Sequence, residues 1–313
     1  MKHAPQILQK LDKYLNKKGF VVALLLLLFT FLFYKVFIND SKFGDNRLVK
    51  SRQAGNKPIT PQEIAQHYSK SPLISSTPTP TPRPLTFSEL NALYGPCVAL
   101  PTLFYHHVQD QGVSVSKHQE KLTVYTNYFK LQMDYLKNKG YRTVTPSDIA
   151  SFFDQGVMIP KKSVLLTFDD AYNDFYVNAY PILNSEGFSA VVFTPTGLVG
   201  NPGYLNWNEI QEMSPTIYFA NHTWSHKSVL NSPSVVQNEI SIADAQLSER
   251  GLNSTKVFAY PYGSPSSNGE TVLKNLGYKL AFTTRHGSVL CGKQRFELPR
   301  LRVGNFNLNT LGL

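Results

Sequence analysis

The 313-residue chain predicts an α/β fold, a distorted (β/α) barrel of about seven strands, preceded by one transmembrane helix and a Pro/Thr-rich linker. Short apolar runs alternate with amphipathic stretches beyond residue 97, as a parallel sheet covered by helices requires. The runs are apolar almost throughout, so both faces of each strand should be buried. Ahead of them lie 19 residues long and apolar enough to cross a bilayer, then a polar segment ending in repeated Thr-Pro.

Residues 1–19 read as a short basic cytoplasmic tail. Residues 20–38 (FVVALLLLLFTFLFYKVFI) carry one charge, Lys35, close enough to the end to reach the interface. At about 1.5 Å per residue they span roughly 28 Å. No small-residue cleavage site follows, so an uncleaved anchor is expected rather than a signal peptide. Five basic residues precede the span and five follow it closely, which leaves orientation undecided by charge. Residues 39–96 read as an extended linker, because the Thr-Pro repeat in 75–84 (SSTPTPTPRP) favours polyproline-like backbone and offers nothing to bury.

Residues 97–313 then read as one folded domain. Residues 98–105 (VALPTLFY), 163–168, 190–194, 217–220, 257–260 and 280–283 are expected strands, and 125–139, 174–185, 234–250 and 266–276 expected helices. In such barrels reactive residues sit just after the strands.

The formal charge of +10 would suit nucleic acid were it spread over the folded part. Instead 13 of the 31 basic and 4 of the 21 acidic residues fall within residues 1–84, which suits anionic lipid and excludes a nucleic-acid footprint on the domain. The two cysteines, Cys97 and Cys291, are too few for a disulfide framework; a single bridge and two free thiols both remain open.

Two carboxylates, Asp169 and Asp170, end the run LLTFDD. Neighbouring side chains in an extended segment diverge, so the pair can do different jobs. His222 and His226 follow another run, with the i, i+4 spacing that shares a face if the segment is helical. Two imidazoles and a carboxylate make three ligands with an open position, as a catalytic metal requires, and the absence of thiolates admits zinc, nickel, cobalt or iron.

The motifs TFDD (167–170), HTWSH (222–226) and FAYPYG (258–263) resemble, in order and spacing, the first three motifs of the polysaccharide deacetylases, the NodB-homology domain of carbohydrate esterase family 4. The segments LFYHHV (103–108) and LNWNEI (205–210) are similar to the subgroup that de-N-acetylates poly-β-1,6-N-acetylglucosamine. The resemblance implies Asp169 as general base, Asp170, His222 and His226 as ligands of one divalent ion, zinc foremost, and the Tyr262 amide as oxyanion donor. It implies His106 as general acid and leaves His107 a bystander. The implied substrate is an N-acetylated polysaccharide, an exopolysaccharide or peptidoglycan, met outside the cytoplasm by a single-pass membrane protein. A carbohydrate-binding module with an impaired site and an O-acetyl esterase are the competing functions.

Three departures stand out. The Arg that usually opens the third motif is Ala259, a fourth motif is absent, and Ala171 replaces the usual Gly. Arg300 or Arg302 in LPRLRV (298–303) could supply the missing charge, although a surface or strand-pairing role is the expectation for them. Among Trp207, Trp224, Tyr204 and Tyr262, only Trp207 and Tyr262 are expected to stack against sugar.

Overall fold

The computed structural model describes residues 83–313. The expected tail, transmembrane span and most of the linker lie outside the described residues; among those described, no helix is long and apolar enough to cross a membrane.

The described chain begins with α1 (Phe87–Tyr94), a helix where extended linker was expected. Thr86 and Glu89 close a reciprocal cap at its start, satisfying amides that a helix N-terminus leaves bare. The Asn91 side chain then accepts from the Cys97 amide. Next come β1 (Cys97–Ala99), β2 (Thr102–Tyr105), β3 (His107–Gln109), α2 (Gln111–Ser116), β4 (Thr123–Tyr125), α3 (Thr126–Asn138), β5 (Arg142–Thr143), α4 (Pro146–Gln155) and β6 (Ser163–Asp169). A π-helical turn (Phe175–Ala179) leads into α5 (Tyr180–Glu186), followed by β7 (Ala190–Thr194), α6 (Trp207–Met213), β8 (Ile217–Asn221), α7 (Pro233–Ser248), β9 (Val257–Ala259), α8 (Ser267–Asn275), β10 (Leu280–His286), β11 (Val289–Cys291) and β12 (Leu298–Arg302).

Seven of these strands close a parallel ring. Its order is β2, β12, β10, β9, β8, β7, β6, and the return pairing of β6 with β2 runs from Thr102↔Leu165 to Tyr105↔Phe168. The two-residue β5 pairs with the start of β6. Alternate side chains separate the inside of the ring from the outside, as the two-residue period of a strand dictates. Leu165, Val191, Phe193, Phe282 and Leu298 join one cluster with Leu100, Leu290 and Phe152. Leu166, Phe168 and Val192 join another beneath α3 and α5. All seven residues of β6 are buried, which explains its unbroken apolar run.

The seven-stranded parallel barrel expected from sequence is therefore present, with local corrections. The run 98–105 is two strands: Pro101 interrupts it, and the first half leaves the ring to pair antiparallel with β11, opposite Cys97↔Cys291. Those cysteines form a disulfide across 194 residues of sequence. The seventh ring strand is β12, whose Pro299, Arg300 and Arg302 hide its strand character.

Candidate active site

Both expected carboxylates sit at the tip of β6, but strand alternation does not separate them. Alternation stops at Asp169, since Asp170 and Ala171 adopt left-handed backbone, φ +74° and +54°. Both carboxylates consequently line one cleft of about 430 Å³, together with His106, His222, His226, Tyr262 and Arg302.

Asp169 is gripped from within the barrel. Arg300 Nη1 and Nη2 donate to its two oxygens, each at 2.7 Å, while Nε donates to Thr283 O at 2.9 Å and Nη1 also to Thr167 Oγ1 at 3.1 Å. Arg300 is fully buried, its guanidinium 4.6 Å from the Phe104 ring centroid. The expectation of a surface or strand-pairing arginine is thus corrected: Arg300 supplies the charge that Ala259 lacks. Burial alone would raise the Asp169 carboxyl, but the Arg300 charge and hydrogen bonds outweigh it and hold the group below the usual carboxylate range. Arg302 instead is exposed and donates to Lys121 O.

The two histidines do not share a helix face. Residues 222–226 form an irregular loop in which Thr223 and His226 take positive φ, +66° and +60°, and this turning brings the imidazoles together. Their Nε2 atoms lie 3.4 Å (His222) and 3.0 Å (His226) from Asp170 Oδ1. His222 Nδ1 donates to Ala259 O at 2.8 Å, which leaves Nε2 with its lone pair toward the carboxylate. The loop is held by residues that the sequence reading passed over. Asn221 accepts from the Thr223 amide, and the buried Glu239 of α7 accepts from the amide and hydroxyl of Ser225. A carboxylate in the apolar stripe Val236, Ile240, Ala243 was the available signal.

These three residues fit a divalent cation. Their ligand atoms lie within 4.8 Å of one another, and Asp170 Oδ1 is a buried acceptor without a hydrogen-bond donor. Burial opposes ionisation of the Asp170 carboxyl, and positive charge on the neighbouring imidazoles, when they are protonated, outweighs it and holds the group far below its usual range.

His106 lines the cleft beside them, and burial pushes its imidazole below the usual value despite the nearby carboxylates. Tyr262 also lines the cleft, 70% exposed, with φ +62° and its ring 4.9 Å from that of His226. Gly263 follows at φ +78°, where a Cβ would lie 1.9 Å from Thr284 Oγ1, so only glycine lets the turn approach β10 this closely. Trp207 requires correction. It opens α6 after the Asn206 cap, and its ring lies 4.0 Å from the Arg250 guanidinium, away from the cleft. His107 is buried and bonded to Asp174 at 2.5 Å rather than turned to the reaction centre.

Residues 157–281 match the family model for polysaccharide deacetylases. The chain carries a polysaccharide deacetylase domain. It thereby belongs among hydrolases that act on amide bonds, and one curated relative is named for the subgroup that the sequence motifs resemble. A Staphylococcus aureus poly-β-1,6-N-acetyl-D-glucosamine N-deacetylase is 25% identical over 256 residues, covering 74% of this chain and 85% of the relative. The Streptococcus pyogenes deacetylase PplD, solved with acetate, superposes with a TM-score of 0.63 at 29% identity, covering 68% of this chain and 97% of that one. IcaB from Ammonifex degensii gives a TM-score of 0.58 at 27% identity, with 66% and 91% covered.

Proposed function

We propose that this deacetylase domain removes acetyl groups from N-acetylglucosamine units of a polysaccharide outside the cytoplasm, using one divalent ion, zinc foremost, held by Asp170, His222 and His226. The observation that carries the reading is the convergence of the His222 and His226 Nε2 atoms on a donorless Asp170 oxygen. A divalent cation bound there supplies Lewis acidity, polarising the acetamide carbonyl and acidifying water.

The remaining chemistry belongs to the chain. Asp169, kept ionised by Arg300, accepts the proton of the attacking water. The Tyr262 amide donates to the oxygen that gains charge as the carbonyl becomes tetrahedral. His106 lines the same cleft and delivers a proton to the departing amine; because burial lowers its imidazole, it takes up that proton in the course of the reaction, as the neighbouring Asp169 and Asp170 charges favour. The C–N bond breaks and acetate and a free amine leave. Tyr262, exposed on the rim, offers its ring face to the sugar.

Placement beyond the membrane is supported by the Cys97–Cys291 disulfide, which persists in oxidising compartments, and by the apolar run at residues 20–38. The S. aureus relative's named substrate favours a β-1,6-linked glucosamine polymer. Acetate release from N-acetylglucosamine oligomers and from an O-acetylated sugar tests the reading. Wild type should act on the amides and Asp169→Asn should not; release from the esters alone would replace the amidase assignment, and release from neither would reduce the domain to a binding module.

A further inference from the structure

Beside the catalytic cleft lies a larger cavity, about 530 Å³, bounded by β3, α2, the start of the π-helical turn and the Pro202–Tyr204 loop. Tyr172 lines both spaces, so the two adjoin across a single side chain. One wall is aromatic. The Tyr172 ring stacks on His107 at 3.7 Å and lies 5.3 Å from Tyr204. The lining also carries three amides, Gln109, Asn173 and Asn178.

These amides are locked by their nitrogens. Gln109 Nε2 donates to Gln119 and Thr123, Asn173 Nδ2 to Glu209, and Asn178 Nδ2 to Val108 O. No donor among the described residues reaches their side-chain oxygens, which remain as fixed acceptors. The charged groups of the lining are Lys117, Asp110 and Asp174, and Asp174 is already hydrogen-bonded to His107. Aromatic faces and preset amide acceptors suit a polyhydroxylated ring better than an anion. The wall is also rigid. Tyr204 and Tyr172 form a short antiparallel bridge, flanked by Asn173 N→Gly203 O and Leu205 N→Ala171 O, each 2.9 Å.

We infer that this cavity seats the N-acetylhexosamine unit adjoining the one being deacetylated, with Tyr204 as its stacking face. The inference rests on the proposed function and deepens it: a chain spanning Tyr172 fills both spaces, whereas a monosaccharide fills only the cleft. Tyr204 was passed over in favour of Trp207 on sequence alone.

The test is the ratio of kcat/KM for a pentamer to that for the monomer, measured by acetate release on β-1,6-linked N-acetylglucosamine. Wild type should show a ratio of about ten or more, which corresponds to about 1.4 kcal/mol of added binding. Tyr204→Ala should bring the ratio close to one, Tyr204→Phe should keep it, and Val177→Trp, bulk added at an exposed residue of the cavity mouth, should lower it without touching the bridge. A wild-type ratio near one overturns the subsite, as does an equal loss at every length in Tyr204→Ala, which would mark a purely structural residue. Absence of acetate from every oligomer with wild type would instead overturn the deacetylase reading, a distinguishable result.

Discussion

Replacing Arg300 by methionine keeps most of the buried volume while removing the guanidinium. Two 2.7 Å hydrogen bonds to Asp169 and the Thr283 and Thr167 contacts disappear together, inside a barrel that admits no water to Arg300. Stripping one partner from a buried ion pair costs about 3–5 kcal/mol, because the other charge is left unpaired. Asp169 can escape that cost only by taking a proton, and burial then drives its carboxyl upward instead of downward. At neutral pH the base is lost, and kcat/KM should fall by about a hundredfold or more, the rate equivalent of the lower bound at 1.36 kcal/mol per decade.

The stability sign follows from the same shift. In the native protein Asp169 is depressed, so its contribution is present above the ordinary carboxylate range and fades as pH falls through its lowered value. In Arg300→Met the carboxyl is raised, so the folding deficit is largest at neutral and alkaline pH and narrows on acidification. Denaturant melts across pH, with acetate release measured in parallel, check both. Arg300→Lys restores charge without the fork and should fall between the two. The double variant Arg300→Met with Asp169→Asn should regain stability but no activity. Wild-type kcat/KM and an unshifted pH profile in Arg300→Met would refute the assignment of Arg300 as the anchor of the base.

Asp170→Asn should lower bound metal from one ion per chain to almost none with far-UV circular dichroism retained, as read by elemental analysis; retention of a full equivalent would remove Asp170 from the ligand set. Gly263→Ala must place a Cβ into Thr284 at φ +78°, costing about 1–2 kcal/mol from the backbone alone. Its kcat should drop more than its KM rises, since the Tyr262 amide shifts; an unchanged kcat would separate that turn from the chemistry. Reduction of Cys97–Cys291 opens a loop of 194 residues and should destabilise by up to about 5 kcal/mol on the chain-entropy estimate, visible as a lower denaturation midpoint. Activity of the protein that remains folded should survive, because neither cysteine lines the cleft.

Much of this site was legible in one dimension because its ligands follow apolar runs: Asp169 and Asp170 close β6, and His222 follows β8. Short-range pattern also located most ring strands. What it could not show depends on contacts distant in sequence. Arg300 meets Asp169 across 131 residues, and a hydropathy reading places an arginine in LPRLR outside, where only the closed ring reveals a carboxylate waiting for it. The alternation rule misled at Asp170, because a left-handed residue breaks the period on which the rule depends. Trp207 misled for a different reason: an aromatic residue in a site motif reads as a stacking surface, yet Asn206 caps a helix there and the ring lies against Arg250. The cavity beside Tyr172 was invisible since three separate segments build it, none with a recognisable pattern.

Closure of the ring between β2 and β6 has a consequence for how many copies can crowd together. An open sheet presents a ladder of unmet amides and carbonyls on which a neighbour can polymerise. Here every ring strand is flanked on both sides, and the remaining described strands β1, β3, β4, β5 and β11 run only two or three residues, too short to template such growth. The described domain therefore offers a second copy no long unpaired strand edge on which to add.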